Sequence, residues 1–242
     1  MKNILITGAS GDIGSGIARK LAKADVRLLL VYNNSKQRID KIADELMDIS
    51  HIVLYKCDLT DDDCVHAMVN DIVSKFHTID CLINCAGVSL IKQIQDCTEA
   101  DYSYVFDSNM KTAFLLTKEV SKHMIHEQSG NIINISSMWG NVGASMESLY
   151  SASKGAMNSF TLALAKELGF SNIRVNAICP GLIEGRMNES ISDEDKKAII
   201  SNTPISRIGT SEDVANAVEF LLSDKSSFIT GQIITIDGGF SL

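Results

Sequence analysis

Residues 1–14 read M-K-N-I-L-I-T-G-A-S-G-D-I-G, and this stretch decides the fold. Ile4, Leu5 and Ile6 form a short apolar run that breaks at Thr7-Gly8, and an amphipathic segment begins at Ile13. An apolar run bounded by a glycine turn reads as a buried strand, and the segment after it reads as a helix. Glycines between the two let the backbone turn sharply and approach a pyrophosphate, which rests on the helix N-terminus. A glycine-rich turn is weak evidence alone; directly after an N-terminal strand it is strong.

The same alternation continues outward from this unit. Strands are expected near 2–7, 26–32, 51–57, 79–84, 130–136, 172–179 and 232–236. Helices are expected near 13–24, 36–49, 61–76, 99–127, 149–169 and 211–222. Strand–helix alternation of this kind gives a parallel sheet with helices on both faces. Right-handed crossovers make it an α/β, Rossmann-like, doubly wound sheet of about seven strands. Residues 1–242 read as one domain, without a repeat or a linker. The least regular part, 182–209, carries the cluster Asp193-Glu194-Asp195-Lys196-Lys197. It reads either as a solvated helix face or as a lid over a substrate.

Bulk composition narrows the function. The 242 residues are 45% hydrophobic with only 2 Pro, ample for one sizeable core. A net charge of −8 gives no reason to expect nucleic acid or an anionic membrane surface as partner. No stretch approaches the roughly 20 apolar residues of a membrane span. The N-terminus reads as a strand, not a signal peptide. Of the 6 Cys, none forms a C-x-x-C pair or a zinc spacing with His, so no metal site is expected. Buried free thiols suit a reducing cytosol, and a cytoplasmic location is the expectation.

The chemistry concentrates in residues 137–154, S-M-W-G-N-V-G-A-S-M-E-S-L-Y-S-A-S-K. Tyr150 and Lys154, four apart on a helix, share one face a turn apart. A phenol has a pKa of about 10 and is a poor acid–base catalyst at neutral pH. A nearby ammonium favours phenolate and lowers that value, making Tyr150 a usable proton donor to a carbonyl oxygen. Ser137 ends the apolar run from Asn131 to Ile135 and would present its hydroxyl at a strand tip.

Taken together these motifs resemble the short-chain dehydrogenase/reductase family, over the full length and in the family's order. The resemblance implies a catalytic set of Ser137, Tyr150, Lys154 and Asn109, the last holding a water that links Lys154 to solvent. It implies a nicotinamide cofactor held by Gly8, Ser10, Asp12, Ile13 and Gly14 of the first turn and by Asp58 and Leu59 after strand three. Asn84, Ala86 and Gly87, from N-C-A-G after strand four, join them. Tyr150, Lys154, Pro180, Gly181 and Ile183 complete the set. Two positions depart from the family's pattern. Asp12 stands where a glycine is usual, and reads either as the N-cap of helix one or as a charge beside the phosphates. Gly185 stands where a Thr commonly contacts the carboxamide. The C-terminal Ile236-Asp237-Gly238-Gly239 also fits the family and reads as structural.

No carboxylate follows strand two to bind a ribose 2′-hydroxyl. Asn33, Ser35, Lys36 and Arg38 could hold a 2′-phosphate instead, so NADP(H) is expected, with NAD the alternative. Lys36 and Arg38 also read as ordinary charges opening helix two.

The overall pattern is similar to the 3-oxoacyl-[acyl-carrier-protein] reductase branch. The stretches at His126–Gly130 and Gly169–Asn172, where that branch docks an acidic carrier, are poor in positive charge. The loop before Tyr150 is closer to bacterial reductases acting on a 5-aminopentanone group carried by elongation factor P. There Glu147 could pair with a cationic amine, and Trp139 could pack on its stem or contact the cation. Equally, Glu147 could serve a helix dipole and Trp139 a core or an interface. A dinucleotide sensor without catalysis is a third reading, which the presence of both Tyr150 and Lys154 disfavours. Helices 99–127 and 149–169 match surfaces through which relatives form tetramers, so a homotetramer is expected.

Overall fold

The computed structural model describes residues 1–188 and 191–242. Glu189 and Ser190, within the expected 182–209 lid, lie outside the described residues.

Seven strands form one parallel sheet: β1 (Lys2–Ile6), β2 (Val26–Tyr32), β3 (His51–Lys56), β4 (Cys81–Asn84), β5 (Gly130–Ile135), β6 (Ile173–Pro180) and β7 (Ile233–Ile236). Their order is β3-β2-β1-β4-β5-β6-β7. The register is uninterrupted, with Ile4 opposite Leu28 and Cys81, and Ile133 opposite Ile83 and Asn176. Leu5, Leu29, Leu82 and Ile132 pack on one face; Ile4, Leu28, Cys81 and Ile133 pack on the other. A sheet covered on both faces needs apolar side chains on both, which is why these strands read as continuous apolar runs.

The helices are α1 (Asp12–Leu21), α2 (Lys36–Leu46), α3 (Asp62–Phe76), α4 (Glu99–Phe106), α5 (Thr112–Glu127), α6 (Trp139–Val142), α7 (Ser148–Leu168), α8 (Asp193–Ser201) and α9 (Ser211–Leu222). The expected single helix over 99–127 is instead α4 and α5 joined through a π-helical turn, Asp107–Lys111. This is the most consequential difference, since π-turns inside helices occur frequently at functional sites, and Asn109 lies in this one. Helices one and two end three residues earlier than expected, at Leu21 and Leu46. Asp61, expected to begin helix three, is its N-cap, accepting the N–H groups of Asp63 and Cys64.

The charged cluster at 193–197 opens α8, capped by Ser192, whose hydroxyl accepts the Asp195 N–H at 3.1 Å. Its three carboxylates occupy the first turn, where the helix dipole favours negative charge. This is the solvated-face reading of that cluster. Ile191 and Ile199, in the same segment, line the main cavity instead.

All six cysteines are free thiols. Among the described residues no helix is long and apolar enough to cross a membrane, and no metal-binding cluster occurs.

Candidate active site

The strand order reverses between β1 and β4, and in open α/β sheets ligands bind beyond the strand carboxyl ends at such a point. A cavity of about 780 Å³ opens there. Its wall begins with the first glycine turn. Gly8 has φ +61°, and a Cβ on it would lie 2.9 Å from the Ala86 backbone. A Cβ on Gly14 would lie 2.3 Å from the Gly8 carbonyl oxygen. Only glycine allows these approaches. Thr7 locks the turn to the end of β4: its hydroxyl oxygen accepts the N–H groups of Cys85 at 2.9 Å and Ala86 at 3.0 Å.

The N-cap of α1 is Gly11, which has no side chain to cap with. Asp12 is therefore the first helical residue and not the cap. Its carboxylate leaves α1 and accepts the Arg186 backbone N–H at 2.8 Å and the Arg186 Nε–H at 3.4 Å.

Ser137, Tyr150 and Lys154 line the same cavity. The residues after β5 fold back on α7. Ser136 Oγ donates to the Lys154 carbonyl at 3.0 Å, and a Cβ on Gly140 would lie 2.8 Å from the Lys154 carbonyl carbon. The Met138 N–H donates to Pro180 at 3.0 Å, joining the loop to the end of β6. Ser137 is buried, and its Oγ accepts the Trp139 N–H at 3.2 Å.

Tyr150 is 8% exposed and Lys154 5%. The Lys154 ammonium lies 5.7 Å from the centre of the Tyr150 ring and donates to the Ile135 carbonyl at 2.9 Å. The expected lowering of the phenol does not dominate. Burial pushes Tyr150 up to about 12, the hydrogen bond with Ser137 pulls it down, and the Glu147 charge pushes it up again. Burial pushes Lys154 down to about 8. The pairing is legible in sequence; the balance is set by desolvation, which disfavours both charged forms.

Asn109 is fully buried in the π-turn and does not line the cavity. Its Oδ1 accepts the Val88 N–H at 2.7 Å, and its Nδ2 donates to Val88 O and Ser153 Oγ, each at 2.9 Å. The side chain is thus committed to protein partners and ties the end of β4 to α7. Gly87 sits between: a Cβ there would lie 2.9 Å from Asn109 Oδ1 and 3.4 Å from Lys154 Nζ.

Asn84 departs further from expectation. It does not line the cavity. Its amide donates to Thr117 and Asn134, and Asn134 donates to Thr161, forming a buried polar relay beneath the site. The remaining expected cofactor residues, Gly8, Ser10, Asp12, Ile13, Gly14, Asn33, Ser35, Asp58, Leu59, Ala86, Gly87, Tyr150, Lys154, Pro180, Gly181 and Ile183, all line it. Asp58 holds Thr60 through its N–H and hydroxyl, and these bonds keep its carboxyl below the usual range. Lys36 and Arg38 do not line the cavity; Lys36 pairs with Asp40 at 2.8 Å.

Trp139 and Glu147 both line the cavity, as Tyr150 does. Trp139 opens α6 and meets Phe240 edge to face, ring centres 5.8 Å apart. Glu147 is the N-cap residue of α7, where the helix dipole favours its charge, and its side chain makes no cap hydrogen bond. Its carboxylate has neither a hydrogen-bond nor an ion-pair partner among the described residues, and burial pushes its pKa up.

These features have counterparts in known proteins. The family profile described as enoyl-(acyl carrier protein) reductase matches residues 8–241. An uncharacterized oxidoreductase of Bacillus subtilis is 37% identical over 99% of this chain and 98% of its own. A 3-oxoacyl-[acyl-carrier-protein] reductase of Staphylococcus aureus is 35% identical over 98% and 97%. Among solved structures, a short-chain type dehydrogenase/reductase from Mycobacterium ulcerans superimposes with a TM-score of 0.94 at 30% identity, covering 99% of this chain and 90% of that one. The chain belongs to the short-chain dehydrogenase/reductase family.

Membership makes it an oxidoreductase and implies a nicotinamide dinucleotide. The cleft of this short-chain dehydrogenase/reductase fits that group: the Gly8 and Gly14 cradle admits close backbone approach, and the uncapped start of α1 offers N–H groups to a diphosphate. Several lining residues escaped the sequence reading, notably Arg186, Tyr104, Ile91, Met187 and Ile199. Tyr104, Ile91, Met187 and Ile199 carry no local signal, because they come from separate parts of the chain and meet only in the folded cleft. Arg186 had a faint one, as a cation directly after the unusual Gly185.

Proposed function

We propose that this protein is an NADP(H)-dependent ketone reductase whose substrate bears an ammonium near its carbonyl, the 5-aminopentanone group on elongation factor P. The observation that carries the reading is Glu147: a half-buried carboxylate without a partner among the described residues, lining the cavity close enough to Tyr150 to push the phenol's pKa up. A buried charge is costly unless paired. A substrate ammonium would pair it and cancel its push on Tyr150 in the same event. Trp139, lining the same cavity, suits an aliphatic stem or a cation.

In this reading a reduced nicotinamide, when bound, would supply the hydride for the carbonyl carbon, and Tyr150 gives its hydroxyl proton to the carbonyl oxygen, so that the product is the secondary alcohol. Ser137 and Tyr150 hold that oxygen by hydrogen bonds that strengthen as its negative charge develops. Lys154 keeps a cation at the floor of the cleft, where it stabilises the phenolate left on Tyr150. Asn109 acts as a positioning residue, through Val88 and Ser153. The described part of 182–209 would lie over the substrate through Ile191 and Ile199, which line the cavity. Asn33 and Ser35 support NADP, with NADH as the comparison. Exposed Phe114 and Leu162, on α5 and α7, support a homotetramer packed through these helices.

A second reading, reduction of a 3-oxoacyl group on acyl-carrier protein, has the Staphylococcus relative in its favour. NADPH oxidation measured in parallel against aminopentanone-modified elongation factor P and an acetoacetyl thioester separates the two. Turnover of the modified factor that falls at least tenfold in Glu147→Gln is expected. Turnover of the thioester alone overturns the amine reading.

A further inference from the structure

Two residues that depart from the family's pattern, Asp12 and Gly185, touch each other. Gly185 has φ +147°, and a Cβ on it would lie 2.6 Å from Asp12 Oδ2. Because Gly185 has none, the Asp12 carboxylate reaches past it to the Arg186 N–H at 2.8 Å. The Arg186 guanidinium then turns back across the glycine turn. Its Nε faces Asp12 Oδ1 at 3.4 Å, and its Nη2 donates to the Ser10 carbonyl at 2.9 Å. Residues 174 apart in sequence thus form one interlocked unit on the wall of the cleft.

The charges explain why the unit is needed. Asp12 puts a carboxylate on the first residue of α1, beside the N–H groups that would receive a diphosphate. Two like charges there would repel. A guanidinium held between Asp12 and Ser10 removes the net charge and presents its remaining N–H groups to an anion. We infer that Arg186 sets dinucleotide affinity by neutralising Asp12, with Gly185 as the residue whose missing side chain allows the contact. This rests on the reading of the cleft as a nicotinamide dinucleotide site.

The test is equilibrium binding of NADPH, followed by the fluorescence of the reduced nicotinamide, with thermal unfolding of each variant confirming the fold. Arg186→Gln should raise Kd at least tenfold, since it leaves the Asp12 charge uncompensated. Asp12→Asn should lower Kd severalfold. The double variant Asp12→Asn/Arg186→Gln should return to within about threefold of wild type. Gly185→Ala, which drives a methyl into the carboxylate, should weaken binding in the manner of Arg186→Gln. A double variant as weak as Arg186→Gln alone would show that Arg186 acts without reference to Asp12 and would overturn the inference. So would an Arg186→Gln variant that binds like wild type. A wild-type chain that binds neither NADPH nor NADH would overturn the cofactor reading and this inference together.

Discussion

The Lys154 ammonium lies 5.7 Å from the centre of the Tyr150 ring, and both side chains are buried on the same face of α7. Burial is costly to each. It holds the phenol protonated, with a pKa near 12, and it makes the ammonium reluctant to keep its proton, with a pKa near 8. The pair is held ready for reduction, in which Tyr150 must begin as the acid.

Lys154 should therefore trade stability for function. Its pKa in the folded chain is about 8, below the ordinary 10.5. The unfolded chain then binds the extra proton between those values, so the folded state carries its full penalty below pH 8, and the penalty fades as pH rises toward 10.5. Lys154→Met is expected to abolish turnover while stabilising the fold at pH 7 by about 1–3 kcal/mol. That corresponds to about 2–4 °C in Tm per kcal/mol. The gain should shrink when melting is repeated at pH 9.5. A Tm that falls at pH 7 would contradict the desolvation account.

Glu147 should be visible in the titration of Tyr150. Its charge raises the Tyr150 pKa, so Glu147→Gln lowers it. The phenol titration itself, followed by ultraviolet difference absorbance at high pH, should move to lower pH in the variant. A Tyr150 titration that stays in place, or moves upward, would show that Glu147 does not act on Tyr150.

Asn109 should matter to folding as well as to rate. Asn109→Ala leaves the half-buried Val88 N–H and the buried Ser153 hydroxyl without this partner. A loss of about 1–3 kcal/mol in urea unfolding is expected, together with a lower kcat as Gly87 and Val88 lose their anchor. Unchanged stability would mean the β4 end is held by other contacts.

Much of this was readable in the chain. The strands were legible because a parallel sheet buries both faces, so that Val26–Tyr32 and Asn131–Ile135 stand out as apolar runs. Tyr150 and Lys154 were legible through helical spacing, and the glycines of the first turn through their position after β1. Other features have no local signature. The π-turn at Asn109 adds one residue to a helix and leaves its composition unchanged. Asn84 matched a motif, yet β4 turns its amide toward Thr117 and Asn134. Asp12 looked like a cap because its partner lies 174 residues away, reached only through the positive φ of Gly185. The sign of the Tyr150 shift depends on burial, which spacing alone does not reveal.

The most direct test of the central claim, that the Tyr150 hydroxyl is the proton donor in a dinucleotide-dependent ketone reduction, is a single-turnover measurement on Tyr150→Phe beside wild type. NADPH oxidation is followed with saturating ketone, and NADPH affinity is measured separately. The account predicts a rate at least 100-fold slower with the NADPH Kd unchanged within about threefold. A Tyr150→Phe variant that oxidises NADPH at the wild-type rate would contradict it.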